Sequence, residues 1–322
     1  MKYSVVLMIL VVLWGCNAQM EETYLFRVGH VANEDHTWHQ AFLYFDSILQ
    51  ARTNGKIKVQ VYSGEQLGKE RELIRSIRAG IVDITVTGGT LENWSKVAGF
   101  SDMPYLIESS AHLKEINESE IGARLSDRIL SETGLRPIAI FERGPRNLTS
   151  NRAIRHPDDL NGLIIRIPNV PSYVTAWKAL GAKPTPMAFS EVFTGLQQGT
   201  VEAQENPFAM IYSASFYEVQ DYLNLTQHVI SWGYVAAGER QLQNLPPVLR
   251  EIFLEAARDM QEYEHRIFLE KEQRLARLLK EKGMEFVEVD KEAFREVAER
   301  AVFEDLTPDM QQIFLEIKAL TE

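Results

Sequence analysis

The sequence predicts an α/β protein made of two similar lobes, and three observations predict it. Strand and helix patterns alternate as β-α-β-α-β over residues 24–87, the order that lays parallel strands side by side. Two distant segments share one local plan: IRAGIVDITV at 77–86 and LQQGTVEAQE at 196–205 each stop a helix at Gly, then place one residue, Val, an acid and a strand. Such a short repeat is what two related lobes leave behind, not a solenoid. Finally, Pro246-Pro247 opens a helical pattern that runs to about 282, where Gly283 ends it. That is long for a globular helix. Its heptad register is not sustained, which argues against a coiled coil and for a helix lying across the back of both lobes.

The chain of 322 residues has the length of roughly two domains and the composition of an ordinary globular protein, 45% hydrophobic and 25% charged. Its formal net charge is −11, and no Lys/Arg stripe dominates any segment, which argues against a nucleic-acid partner. An anionic ligand must therefore meet individually placed cations. At the start, Lys2 precedes an apolar run over 5–14, too short to span a membrane and of the length of a signal-peptide core. Residues 1–18 are read as that leader. Leu13-Trp14-Gly15-Cys16 resembles a bacterial lipobox, although Trp14 stands where a small residue is usual, and Cys16 is the only cysteine in the chain. Cleavage before Cys16 gives a lipid-anchored protein; cleavage after Ala18 gives a free one. In either case the body is exported and lacks disulfides.

Taken in order, residues 24–31 alternate as a strand, and 36–52 carry Trp38, Phe42, Phe45 and Leu49 at helical spacing, closed by Thr53-Asn54-Gly55. A half-buried strand follows at 56–61, a helix at 69–79 and a strand at 82–87 ending in Gly88-Gly89. In such sheets ligands sit beyond the carboxyl ends of strands, here His30, the loop 65–70 and the segment 87–93. One helical region is expected over 109–133 and a strand over 135–141. The pattern then restarts: strand 163–167, helices 173–180 and 190–198, strand 201–204. Strands at 222–225 and 228–236 would cross between the lobes. After the long helix come a strand at 286–289 and helices at 291–302 and 307–319. A cleft between two such lobes is a preferred ligand site.

Two arginines stand out. Arg146 and Arg166 occupy strand or strand-edge positions, and Ile164, Ile165 and Ile167 surround Arg166, with Pro168 ending the run. A permanent planar cation is held there only by a carboxylate or phosphate. Taken alone, Arg166 is better explained by an internal acid, the commoner arrangement, than by a ligand.

The runs GPRNLTSNRAI (144–154), DLNGLIIRIPN (159–169), GAKPTPMAFSEVFTGLQQGTVEAQENP (181–207) and FYEVQDYLNLTQH (216–228) together resemble the extracytoplasmic solute-binding subunits of TRAP transporters, the DctP-like family, and within it the sugar-acid-binding branch. Weaker likeness extends over Gly64-Glu65-Gln66-Leu67-Gly68, the Gly80-Ile81-Val82-Asp83 run and Met103-Pro104-Tyr105-Leu106. The resemblance implies a two-lobed periplasmic binding protein fold with crossing hinge strands and a long helix spanning both lobes. Lobe 1 would comprise 22–143 plus about 232–271, and lobe 2 would comprise 144–231 plus about 272–322. It also implies a periplasmic protein that delivers a small carboxylate ligand to TRAP membrane subunits, without cofactor, metal or catalysis, and touches the membrane only through a lipid on Cys16.

Carried over by residue, Arg166 looks like the arginine that pairs with the ligand carboxylate and Arg146 like the second arginine of sugar-acid binders. Asn206 matches the asparagine of the family's QENP motif, and Asn169 and Phe189 match neighbouring pocket positions. Glu70 falls where relatives place an acid that accepts hydrogen bonds from sugar hydroxyls. Two departures bear on the ligand. Sialic-acid binders carry Glu where this chain has Gly88-Gly89, and Asn where it has His30-Val31, so a shorter sugar acid, of hexuronate or keto-gulonate type, is expected. C4-dicarboxylate binding in the same family is the alternative.

Other readings carry less. His36-x-x-His39 beside Asp35 lacks a third ligand motif for a metal, and no Gly-x-Ser-x-Gly elbow, P-loop or Gly-x-Gly-x-x-Gly follows a strand. Glu70 and Glu72 equally suit a helix surface. Four Asn-x-Ser/Thr sequons, at Asn93, Asn117, Asn147 and Asn224, arise readily by chance. Trp94 and Trp232 suit sugar-stacking platforms or core positions, and His30 suits a ligand donor or a satisfied structural residue.

Overall fold

The computed structural model describes residues 23–321, so both candidate cleavage points and Cys16 lie outside the described residues. The first lobe begins with β1 (Tyr24–Gly29), α1 (Thr37–Thr53), β2 (Ile57–Tyr62), α2 (Glu70–Ala79) and β3 (Ile84–Thr87). β1 lies between β2 and β3, parallel to both. The breaks work as read: α1 ends on Asn54 at φ 51° and α2 on Gly80 at φ 78°, both left-handed caps. The single helical region expected over 109–133 is two helices, α3 (Ser110–Glu118) and α4 (Glu120–Thr133). Ser119 divides them, because its Oγ accepts from the Gly122 N–H and so starts a new helix.

The chain then enters β4 (Leu135–Ser150), which continues well past the expected end at 141. The second lobe follows with β5 (Ile164–Ile167), α5 (Pro171–Ala179), β6 (Lys183–Pro186), α6 (Val192–Gln197), β7 (Ala203–Pro207) and α7 (Phe208–Ser213). β5 lies between β6 and β7, parallel to both, the arrangement of β1 with β2 and β3. The repeated segments noted in the sequence end in β3 and β7, which hold equivalent places. β6 was not expected from the sequence. It carries Pro184 and Pro186, and prolines are tolerated there because it is a sheet edge.

The two crossing strands expected at 222–225 and 228–236 are one strand, β8 (Tyr222–Gly238). It runs antiparallel to β4 through both lobes, so the sheet reads β2-β1-β3-β8-β4-β7-β5-β6. The ladder is interrupted twice near its middle. From the pair Glu142–Trp232 to Pro145–Ile230, β4 advances by three residues and β8 by two, with Gly144 at φ 71° in the extra turn. From Arg146–Val229 to Leu148–Asn224, β4 advances by two and β8 by five, with Gln227 at φ 42°. α8 (Glu239–Gln243) leads into α9 (Pro247–Glu281), which packs on α1 and β4. β9 (Glu285–Val287) pairs with β8, α10 (Lys291–Asp305) packs on α5, and α11 (Pro308–Lys318) returns to α3 and α4. There the His112 Nε2 lies 2.9 Å from the Ile317 carbonyl and Arg124 pairs with Glu316.

Apolar side chains bury on both faces of this sheet. Trp38, Phe42, Phe45 and Phe253 fill the space between α1, α9 and the first lobe's strands. Tyr173, Trp177, Trp232 and Phe294 belong to a cluster that spans the crossing pair. Each such side chain contributes about 1.5–3 kcal/mol when withdrawn from water.

Candidate ligand-binding site

Arg166 sits on β5, where strand alternation sends Ile165 and Ile167 to one face and Arg166 to the other. The residue is only 3% exposed. Its Nε and Nη2 donate to one acceptor, the Met187 carbonyl, at 3.0 and 2.7 Å, and its guanidinium lies 5.9 Å from the Phe189 ring centroid. No carboxylate among the described residues pairs with it. Burial lowers its pKa to about 10, with the charge of Arg146 acting the same way and Glu205, Glu70 and Glu65 opposing. It therefore remains a cation at neutral pH.

Arg146 has the opposite environment. It is 1% exposed and forms a two-pronged pair with Glu205: Nε donates to Oε2 at 2.5 Å and Nη2 to Oε1 at 2.7 Å. Nη2 also reaches the Glu205 carbonyl at 2.8 Å and the Asn206 Oδ1 at 3.2 Å. His228 Nε2 lies 3.0 Å from Glu205 Oε2, and Thr226 Oγ1 2.8 Å from His228 Nδ1. Burial acts to raise the Glu205 carboxyl, yet Arg146 and His228 together hold it down at about 2. The sequence reading directed Arg146 at a ligand; the structure engages it with Glu205. The cause is register: Arg146 lies opposite Pro207 on β7 and Val229 on β8, which brings Glu205 and His228 to its fork.

Arg166 opens onto a cavity of about 380 Å³ between the lobes. Asn169 and Phe189 share its wall on one side; Val31, Glu65, Glu70 and Thr90 face them from the other. Glu70 is the first residue of α2 and accepts from Thr87 Oγ1 at 2.8 Å. Side chains also bridge the lobes around the opening. Lys69 pairs with Glu191 at 2.5 Å, Ser190 Oγ donates to Glu65, Asn93 Nδ2 donates to the Asn169 carbonyl at 2.9 Å, and Ser172 Oγ donates to Glu92 at 3.0 Å.

Thus Arg166, Asn169, Phe189 and Glu70 line one cavity, whereas Arg146 and Asn206 stand behind it. His30 and Trp94 do not line it either. His30 is fully buried, 3.2 Å from His39 and stacked on Phe42. At the end of β1, Val31 takes the wall and His30 turns away to the α1 side. Burial and the neighbouring His39 lower its pKa to about 4. His36, from the same histidine pair, caps α1 by accepting from the Trp38 N–H. Trp94 is half-buried under the Arg71 guanidinium at 5.5 Å, and Trp232 is a core residue packed edge-on to Tyr234.

Sequence reasoning placed the ligand beside the loop 65–70 and the segment 87–93 without singling out Glu65 or Thr90, and it did not name Val31 as a wall residue. The signal for Glu65 was its place beside Gly64 at the carboxyl end of β2, where it adopts φ 62°, a left-handed conformation uncommon outside glycine. The Gly88-Gly89 pair has a structural cause: Asp102 Oδ2 lies 2.6 Å from where a Gly88 Cβ would be. That oxygen accepts from the Gly89 N–H at 2.8 Å and from Arg143 at 3.2 Å.

Two lobes on one continuous sheet, with a buried cation on the cavity between them, have the architecture of a two-lobed solute-binding protein. The chain belongs to the bacterial extracellular solute-binding protein family 7, whose model matches residues 28–307. A solute-binding protein of Roseobacter denitrificans is 44% identical over 304 residues, covering 93% of this chain and 94% of that one. The 2,3-diketo-L-gulonate-binding periplasmic protein of Escherichia coli is 32% identical over 299 residues, covering 92% and 91%. Among solved structures, a TRAP periplasmic solute-binding protein from Roseobacter denitrificans with bound L-galactonate aligns with a TM-score of 0.90 at 44% identity over 92% of this chain and 99% of that one. One from Haemophilus influenzae with bound L-gulonate aligns at 0.87 and 28%, over 92% and 100%. These relatives are binding proteins of an extracytoplasmic family, and among the described residues no helix is long and apolar enough to cross a membrane.

Proposed function

We propose that this protein binds a six-carbon sugar acid, of aldonate, keto-gulonate or hexuronate type, and delivers it to a TRAP-type membrane transporter without chemically changing it. The observation that carries this reading is Arg166, a buried cation without a carboxylate partner among the described residues, on the wall of a cavity of about 380 Å³. A ligand carboxylate supplies the missing acceptor, and Asn169 and Phe189 border it. Glu70, an acceptor-only group when ionised, takes hydroxyl donors. Arg146, Glu205 and His228 act one layer back, fixing the backbone that carries Asn206.

The bulges at Gly144 and Gln227 serve as the hinge between lobe 1, 22–143 plus about 232–271, and lobe 2, 144–231 plus about 272–322. Closure buries the ligand and presents one joined surface to the membrane subunits. Cys16, if lipidated, tethers the protein to the membrane face. The L-galactonate and L-gulonate bound in relatives' structures and the 2,3-diketo-L-gulonate-binding relative support the ligand class.

A thermal-shift screen tests it. Ligand that binds only the folded state raises Tm by mass action, by about 2.7 kcal/mol of stability at a hundredfold excess over Kd. Hexonates, keto-gulonates or hexuronates are expected to shift Tm and C4-dicarboxylates to leave it unchanged. A response to dicarboxylates alone contradicts the ligand class, and turnover of the added acid contradicts a pure binding role.

A further inference from the structure

Glu65, Glu70, Glu72 and Glu191 and the cations Lys69, Arg71, Arg75 and Arg166 all border the cavity, and among these described cations Arg166 is the buried one. Glu65 and Glu70 both attract the Arg166 charge across the cavity. Burial raises the Glu65 carboxyl and the neighbouring Glu70 raises it further, so the two acids share one partly desolvated space. Glu65 is also held in place: its backbone is left-handed at φ 62°, and Ser190 of the opposite lobe donates to its Oε2. The cations at the rim are engaged elsewhere or face water. Lys69 pairs with Glu191, Arg71 covers Trp94, and Arg75 is exposed.

We infer that Glu65, together with Glu70, restricts this site to sugar acids bearing a single carboxylate and excludes those oxidised to a carboxylate at both ends. The inference rests on the sugar-acid reading of the cavity and adds a determinant that reading does not contain. Ionised carboxylates only accept hydrogen bonds. A ligand whose first carbon sits on Arg166 must therefore offer donors, that is hydroxyls, at its far end. A second carboxylate there sets acceptor against acceptor and charge against like charge, a pairing that disfavours the wrong partner strongly when water is excluded.

L-Galactonate and galactarate test this, because they share every stereocentre and differ only in the oxidation of C6. Calorimetric titration of the full exported chain is expected to show galactarate at least about tenfold weaker than L-galactonate. Glu65→Gln retains an acceptor for Ser190 and should narrow that ratio several-fold, and adding Glu70→Gln should narrow it further. Unchanged thermal unfolding of each variant would establish that the fold is intact. Equal affinity of the wild type for both acids, or an unaltered ratio in both variants, would overturn the role of Glu65 while leaving sugar-acid binding in place. Failure of the wild type to bind either acid, with keto-gulonates and hexuronates equally inert, would overturn both.

Discussion

At the scale of the residue, two strand-borne arginines have unlike environments. Both stand in strands, yet Arg146 is neutralised by Glu205 and Arg166 donates only to a carbonyl. The sequence identifies both as unusual cations, because few charges survive in such surroundings unpaired. It does not show which one is paired internally, since that depends on register between β4, β7 and β8, strands up to roughly eighty positions apart. The same limit explains His30: its place at a strand end was legible, but the face it turned to was not. Replacing Arg146 by Ala leaves the buried Glu205 carboxylate with only its His228 contact and no permanent cation, so we expect a loss of about 3–5 kcal/mol of stability, read as a lowered urea midpoint. A change within 1 kcal/mol would contradict the pairing.

At the scale of the element, helices and parallel strands were legible because apolar spacing and Gly stops are local signals. The fused strands β4 and β8 and the proline-bearing edge strand β6 were not, because bulges break the alternation that reveals a strand. The Gly88-Gly89 turn after β3 is a local feature with a distant cause, the Asp102–Arg143 pair. Gly88→Ala should push Asp102 aside and cost about 1–3 kcal/mol, visible as a lower Tm; a neutral result would mean the turn has room.

The long helix α9 carries one buried acid, Glu264, and one half-buried acid, Glu272. Burial first, and the charge of Glu142 second, raises Glu272 to about 7; burial likewise, despite the Thr37 hydrogen bond, raises Glu264 to about 8. Both values lie above the ordinary 4.5, so the folded protein holds these protons more tightly than the unfolded chain. The stability they confer is complete below about pH 4.5 and is lost as pH rises through 7 and 8. Glu264→Gln, which keeps an acceptor for Thr37, should flatten the fall of Tm between pH 6 and 9. An unchanged slope would contradict the assignment. Burial of His36, held near pH 3, works in the other direction, removing stability as pH falls below 6.5.

At the scale of the whole molecule, the sheet is nearly symmetric: β2-β1-β3 and β6-β5-β7 flank a central pair that belongs to both lobes. The ten-residue repeat in the sequence is the trace of that symmetry, which is why the two-lobed architecture could be read without structural information. The cavity lies between the halves, and four side-chain bridges join them around it, from Lys69, Glu65, Asn93 and Glu92 of one to Glu191, Ser190, Asn169 and Ser172 of the other. The Lys69–Glu191 pair is exposed and worth about 0–1 kcal/mol, and the three hydrogen bonds are worth about 0.5–1.5 kcal/mol each, so closing should depend on ligand more than on any one of them.

The central claim is that Arg166 holds a ligand carboxylate, and isothermal titration of the sugar acid that gives the largest thermal shift tests it most directly. Arg166→Ala removes one partner of a buried charge pair, expected to cost at least about 2–5 kcal/mol of binding, from tens to thousands of fold in Kd. Arg166→Lys, which keeps the charge and loses the planar fork, should retain a weak remnant. Wild-type-like affinity in a well-folded Arg166→Ala protein would contradict the account.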